Sequence, residues 1–272
     1  MKIYFLIFIF LLSLIVTNCS KKDISSNDYE VAILSTTLSK SIPQLQTNYE
    51  LELLKKHQIK YLSMVMQRKD SLGLDSITFI EFDKEGKIIR RTTTENTSAG
   101  CLPYWHRQEF FYADNKIQRV NNYTFKYKTK SILEKWLTTD TTQLVKFDWE
   151  DYTYSKDTIK VESGFATYKF IIDADGKIIK QTVATKTNNQ TFEFDYDYSN
   201  LSVNKKLVNS IDGETDFINY VVEGNRVLEN HSDGTNAFSE ELIFDSTGFI
   251  RSRIRYKNGE KLSETFYNYI KY

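Results

Sequence analysis

Three histidines, a cysteine and a few closely spaced carboxylates are the residues of this chain whose types and spacing suggest chemistry. His57, His106 and His231 are scattered, with no spacing that would bring two of them to one metal ion. Cys101 and His106 are near enough in sequence for a thiol–imidazole pair. Such a pair needs a third group to orient the base, and none is identifiable, so Cys101 is expected to be a small buried residue. Asp173-Ala174-Asp175-Gly176 opens like a calcium loop, but Ile178 and Ala184 stand where that loop requires Gly and Glu. A turn between strands is expected there instead. Asp148/Glu150 and Glu193/Asp195/Asp197 alternate as residues on one side of a strand do, and a solvated sheet face is expected for both sets. Trp105, Trp136 and Trp149 would form a sugar-stacking platform if exposed; buried indoles are the expectation. Gly-rich phosphate loops, a nucleophile elbow and zinc spacing are all missing from the sequence, and neither a metal nor a cofactor is expected.

The elements that would position these residues are β-hairpins. In Ile77–Arg90, ITFIEFDKEGKIIR, apolar residues run into Asp83, the chain turns at Lys84-Glu85-Gly86, and it leaves through Lys87-Ile88-Ile89. Asp83 is suited to accept from backbone N–H groups ahead of it, and Gly86 to supply the positive φ that closes the turn. The unit returns with Asp173 and Gly176 in FIIDADGKIIK and with Asp245 and Gly248 in ELIFDSTGFIR. Looser copies are Phe110–Arg119, Ile218–Leu228 and Ile254–Leu262. Nearly all of the 10 glycines fall between strand-like runs, and there are only 2 prolines among 18 Tyr and 18 Phe. The expected fold is all-β: an antiparallel meander of hairpins forming an open barrel or a two-layer sandwich, preceded by a short helical or irregular segment. Tyr49–His57 suits either a short helix or a strand.

At the N-terminus Lys2 precedes an apolar run, Ile3–Val16, broken only by Ser13. That run is shorter than the roughly 18 apolar residues wanted for a bilayer span, and it suits the h-region of a secretory signal. It ends at Val16-Thr17-Asn18-Cys19, followed by the polar Ser20-Lys21-Lys22-Asp23. This resembles a bacterial lipoprotein signal, and the resemblance implies cleavage before Cys19 and lipid on its thiol. The F-D-x-x-G-K-I units and the YKNGEKLSE stretch resemble the degenerate YD-type and YwqK-type hairpin repeats of bacterial surface proteins. Asp75-Ser76-Ile77, Asp140-Thr141-Thr142, Asp157-Thr158-Ile159 and Asp245-Ser246-Thr247 resemble the O-glycosylation acceptor of exported Bacteroidota proteins.

The expected organisation is a signal peptide over 1–18, a tether over 19–28, and an all-β domain over 29–272 with room for two sub-sheets. With Cys19 committed to lipid, Cys101 has no disulfide partner. Lys+Arg and Asp+Glu both number 36, a balance that offers no drive toward nucleic acid. The expected function is that of an exported, lipid-anchored, non-catalytic envelope lipoprotein with a binding or scaffold role. Its partners would be a membrane, through lipid on Cys19, and a protein or glycan. Its place would be the outer membrane, on the periplasmic or surface face. The alternative is an envelope-polymer hydrolase working through carboxylates such as Asp148 and Glu150.

Overall fold

Runs of aromatic and β-branched residues interrupted at short intervals by Asp, Asn and Gly favour strands joined by tight turns. A computed structural model describes residues 46, 48–69, 76–95, 104–125, 142, 144–173, 178–197, 202–207, 215–232 and 237–272. Cys19, Cys101, Trp136, Gly176 and the segment 29–45 lie outside the described residues.

A single described helix, α1 (Asn48–Lys56), leads into the sheet. Glu50 in its first turn and Lys55 and Lys56 in its last complement the helix dipole. Its Leu54 is buried, and Gln58, at φ 53°, ends the helix by turning the chain into the first strand. The strands then follow in order: β1 (Ile59–Arg68), β2 (Ser76–Phe82), β3 (Ile88–Glu95), β4 (Tyr104–Ala113), β5 (Lys116–Phe125) and β6 (Leu144–Tyr154). Next come β7 (Thr158–Ser163), β8 (Ala166–Ile172), β9 (Ile178–Thr185), β10 (Asn189–Asp197) and β11 (Ser202–Leu207). The last are β12 (Thr215–Glu223), β13 (Arg226–Ser232), β14 (Ala237–Phe244), β15 (Ile250–Lys257) and β16 (Glu260–Lys271).

Every strand pairs antiparallel with its neighbours in sequence, as the hairpin chemistry demands. The first strand also pairs with the last, from Ile59↔Lys271 to Arg68↔Ser263. Hairpin chemistry leaves a barrel and a sandwich equally open; the β1–β16 ladder decides for a barrel and joins the two edges a sheet would otherwise expose.

The barrel has two different ends. At one, here called the turn end, even-numbered strands pass to odd ones. Asp83 Oδ1 accepts from the backbone N–H of Glu85 (3.0 Å) and of Lys87 (2.8 Å), and Asp245 Oδ1 accepts from Thr247 (2.9 Å) and Phe249 (3.1 Å). Gly86 and Gly248 hold φ of 84° and 92°, so the two hairpins are copies of one turn. Asp114-Asn115 at this end, and Asn258-Gly259 between β15 and β16 at the other, make two-residue turns with both central residues at positive φ, the left-handed geometry that matches strand twist. The opposite end, the loop end, carries the connections 96–103 and 126–143.

Alternation puts one set of side chains inside. Val120, Ile178, Val227 and Leu242 are no more than 1 % exposed, and Phe170 is 2 %. They belong to one continuous apolar cluster that also takes in Leu54 of α1, Leu62, Phe82, Ile88 and Phe244. A cylinder of sixteen strands can enclose a water channel. Wall side chains with almost no exposure require instead that the interior be filled at this level.

Candidate functional site

Toward the loop end the inner wall changes from apolar to polar. On one side the cross-strand register aligns Arg91 of β3, Gln108 of β4, Asn122 of β5 and Asp148 of β6 in a single row. Gln108 Nε2 donates to Asn122 Oδ1 (2.9 Å), and Arg91 Nη1 stands 3.4 Å from Gln108 Oε1. One rung nearer the turn end, Tyr152 donates its hydroxyl to Glu150 Oε2 at 2.7 Å. One rung the other way, Thr78 and Thr93 share a hydrogen bond of 3.1 Å, and His106 lies opposite Thr93.

Burial governs the titration of this belt. It pushes the Glu150 carboxyl above the usual range, while hydrogen bonds from Tyr152 and Asn122 pull the other way. It lowers the Arg91 guanidinium against the pull of Tyr152 and Glu150. It lowers His106 too, with the Arg91 cation adding to the effect, so the imidazole is held neutral. The Tyr152 hydroxyl is pushed up by burial and by Glu150 beside it.

A pH dependence of stability follows. The folded-state pKa of Glu150 lies above that of the unfolded chain, so ionising it in the barrel costs stability from about pH 4.3 upward. Glu150→Gln is therefore expected to raise the urea midpoint at about pH 7 and to leave it nearly unchanged at about pH 3, where the wild-type carboxyl is protonated in both states. A loss of stability of the same size at both pH values would show that the charged form is not what burial penalises.

The wall on β12–β16 holds a second polar set. Tyr220, Glu229, Glu240, Arg255 and Ser263 form one cross-strand row. Glu229 is 1 % exposed and Glu240 9 %, and like charges placed directly opposite repel. Arg255 Nε answers this by donating to Glu240 Oε1 at 2.8 Å, with Arg253 Nε 3.6 Å from Oε2. His231 Nε2 lies against Glu229 Oε1. Burial alone would lower the Arg253 guanidinium; Tyr267, Glu240 and Glu229 outweigh it and hold it above its ordinary value. The arrangement is an ionic cluster in which both carboxylates are buried while Arg255 reaches solvent, and it ties β14 to β15.

The sequence expectations map onto this wall unevenly. Glu193 and Asp195 are exposed on the outer face of β10 while Phe194 beside them is buried. Asp148 and Glu150 depart from the solvated face expected of them: they project inward, and the outer side of this part of β6 is taken by Phe147 and Trp149. Asp148 Oδ1 there accepts from the backbone N–H of Gly164 at 3.0 Å. Trp149 departs from the buried indole expected, being 36 % exposed with the Arg119 guanidinium 5.8 Å from its ring. His57 packs edge-on against Phe249, 49 residues from His106 in sequence and on a different part of the barrel. Among the described residues no three His, Cys, Asp or Glu side chains gather in a way that could hold a metal ion.

Arg91, Gln108, Asn122 and Glu240 carry no motif, and only register brings them together. Gln46 is a further residue that sequence reasoning passes over. Its Nε2 donates to Gly86 O (2.9 Å) and its Oε1 accepts from Ile88 N (3.0 Å), clasping the first hairpin to the segment before α1.

The outer face also bears on function. A barrel that crosses a bilayer turns an apolar band about 25 Å tall toward lipid. Here the outer wall of β7–β10 carries the ion pairs Lys160–Glu162 (2.6 Å) and Lys180–Glu193 (3.1 Å), with Lys169 between them. Among the described residues no helix is long and apolar enough to cross a membrane.

No protein-family model matches the chain, and no curated protein sequence does. Among solved structures the chain is similar to a porin-like protein from Bacteroides uniformis, at 7 % identity and a TM-score of 0.45, over 79 % of this chain and 97 % of that one. It is similar also to a porin-like protein from Bacteroides vulgatus, at 11 % identity and a TM-score of 0.32, over 78 % of this chain and 99 % of that one.

Proposed function

We propose that this chain is an exported, lipid-anchored envelope lipoprotein that acts by binding or as a scaffold, without catalysis and without conducting solutes. The observation that carries the reading is the state of the inner wall. Its apolar part is sealed by residues of 0–2 % exposure, and its carboxylates are engaged by Arg253, Arg255, Tyr152 and the Gly164 amide. A catalytic site needs polar groups converging on a space a substrate can enter, and a pore needs a continuous water path. Filled interiors favour neither. The partner would be met on the outer face or the loops, as a protein or a glycan.

The hydrolase reading draws on one specific feature, the raised Glu150 carboxyl, since a general acid must hold its proton near neutral pH. Two measurements test the proposal. Purified protein added to a planar bilayer is expected to give no stepwise conductance, and discrete openings would refute the filled barrel. The same protein is expected to leave peptidoglycan and glycan substrates uncleaved; hydrolysis abolished by both Asp148→Asn and Glu150→Gln would establish the hydrolase instead.

A further inference from the structure

We infer that a pocket on the outer wall of β12–β15 recognises one uncharged sugar unit, an inference that rests on the binding reading above and names the partner as a glycan. Register builds the pocket. Val221 of β12, Leu228 of β13 and Glu241 of β14 form one outward-facing row, and Ser239 pairs with Tyr256 one rung nearer the loop end. These residues line a cavity of about 290 Å³. Its depth shows in burial: Glu241 points out of the barrel yet is 5 % exposed, while Val221 beside it is 38 % exposed. Small residues leave the space open. Ser239 brings only a hydroxymethyl group, and a Cβ at Gly259, which also lines the cavity, would meet nothing within 4 Å. Ligand pockets begin at about 300 Å³, so this one suits a single ring or a chain end.

The polar groups are of both signs. Glu241 Oε1 is engaged by the Arg226 guanidinium, and the Tyr256 hydroxyl donates to Oε2 at 3.0 Å. Arg226 makes these contacts through Nε and Nη2, which leaves its Nη1 donors to a ligand, and its side chain is 54 % exposed. Glu223, opposite Arg226 in register, adds an exposed carboxylate at the rim. A hydroxyl donates and accepts at once, so vicinal sugar hydroxyls satisfy a guanidinium and a carboxylate together. Val221, Leu228 and the Tyr256 ring supply apolar surface for the C–H face of the sugar. Charged ligands fit less well. Two carboxylates against one guanidinium repel an anion. A cation finds Glu241 already held by Arg226 and meets only the exposed Glu223, a contact that water screens. A peptide lacks its usual foothold, because with β1 paired to β16 no described strand edge is left to extend.

The test uses the full chain, in a detergent without a sugar headgroup, and saturation-transfer NMR, which reads weak ligands. The probes are maltotriose, cellotriose, chitotriose and mannotriose, with trigalacturonate and trilysine as charged comparators. Transfer to at least one neutral probe is expected. Ser239→Phe, which fills the pocket, should cut that transfer several-fold. Gly259→Asn should weaken it too, since Asn accepts the φ of 80° at that turn and narrows the same space without touching a strand ladder. Lys169→Phe, on the outer wall of β8, should leave it unchanged, with circular dichroism confirming the fold of each variant. No transfer to any neutral probe, or transfer unchanged in both pocket variants, overturns the pocket and leaves binding at another surface standing. Transfer to a charged comparator alone overturns the choice of a neutral sugar. Cleavage of a probe overturns the non-catalytic reading and this inference with it.

Discussion

Gly86→Ala is expected to lower stability by about 2–4 kcal/mol, whereas Gly259→Ala costs only about 1 kcal/mol. Both glycines sit in hairpin turns at similar φ, 84° and 80°, so the backbone penalty for an L side chain is shared. Their surroundings differ. A Cβ at Gly86 would stand 2.7 Å from Leu51 O and 3.2 Å from Leu54 Cβ, whereas a Cβ at Gly259 meets nothing within 4 Å. Leu51 O belongs to the backbone of α1, so relief requires the helix to move away from the hairpin and Gln46 to give up its two hydrogen bonds. Urea midpoints of the two variants decide the point. Equal losses would mean that α1 does not close on the first hairpin as described.

The second large effect is at the anchor. An apolar run of the length of Ile3–Val16 is shorter than a comfortable bilayer span, so under the proposed lipoprotein reading retention would depend on acyl groups at Cys19. Each buried methylene contributes about 0.8 kcal/mol, and more than one chain makes attachment stable. Cys19→Ser is expected to abolish fatty-acid labelling and to leave unprocessed or aberrantly cleaved protein. Cys101→Ser should keep the label. A wild-type protein without fatty acid, starting elsewhere than residue 19, would end the lipoprotein proposal.

What could be read without coordinates was local. Phe192–Asp197 declares its inner and outer sides through a period of two, and Phe194 and Asp195 take opposite sides of β10 accordingly. The turns at Asp83 and Asp245 are equally local, since one carboxylate, one glycine and the two strands between them determine the geometry. Asp148 and Glu150 show where this reasoning stops. Alternation says that they share a side of β6, but not whether that side faces water or the interior. Phe147 and Trp149 on the opposite side would ordinarily be taken as the buried set.

By itself, then, the sequence determined the strands and their turns. Those properties depend on residues a few positions apart. The tertiary structure alone decided that β1 pairs with β16, that α1 and Gln46 seat against Gly86, and that Arg91, Gln108, Asn122 and Asp148 form a row. The first depends on closure of the whole barrel, the second on contact between separate segments, and the third on the register of four strands, none of which a local preference fixes.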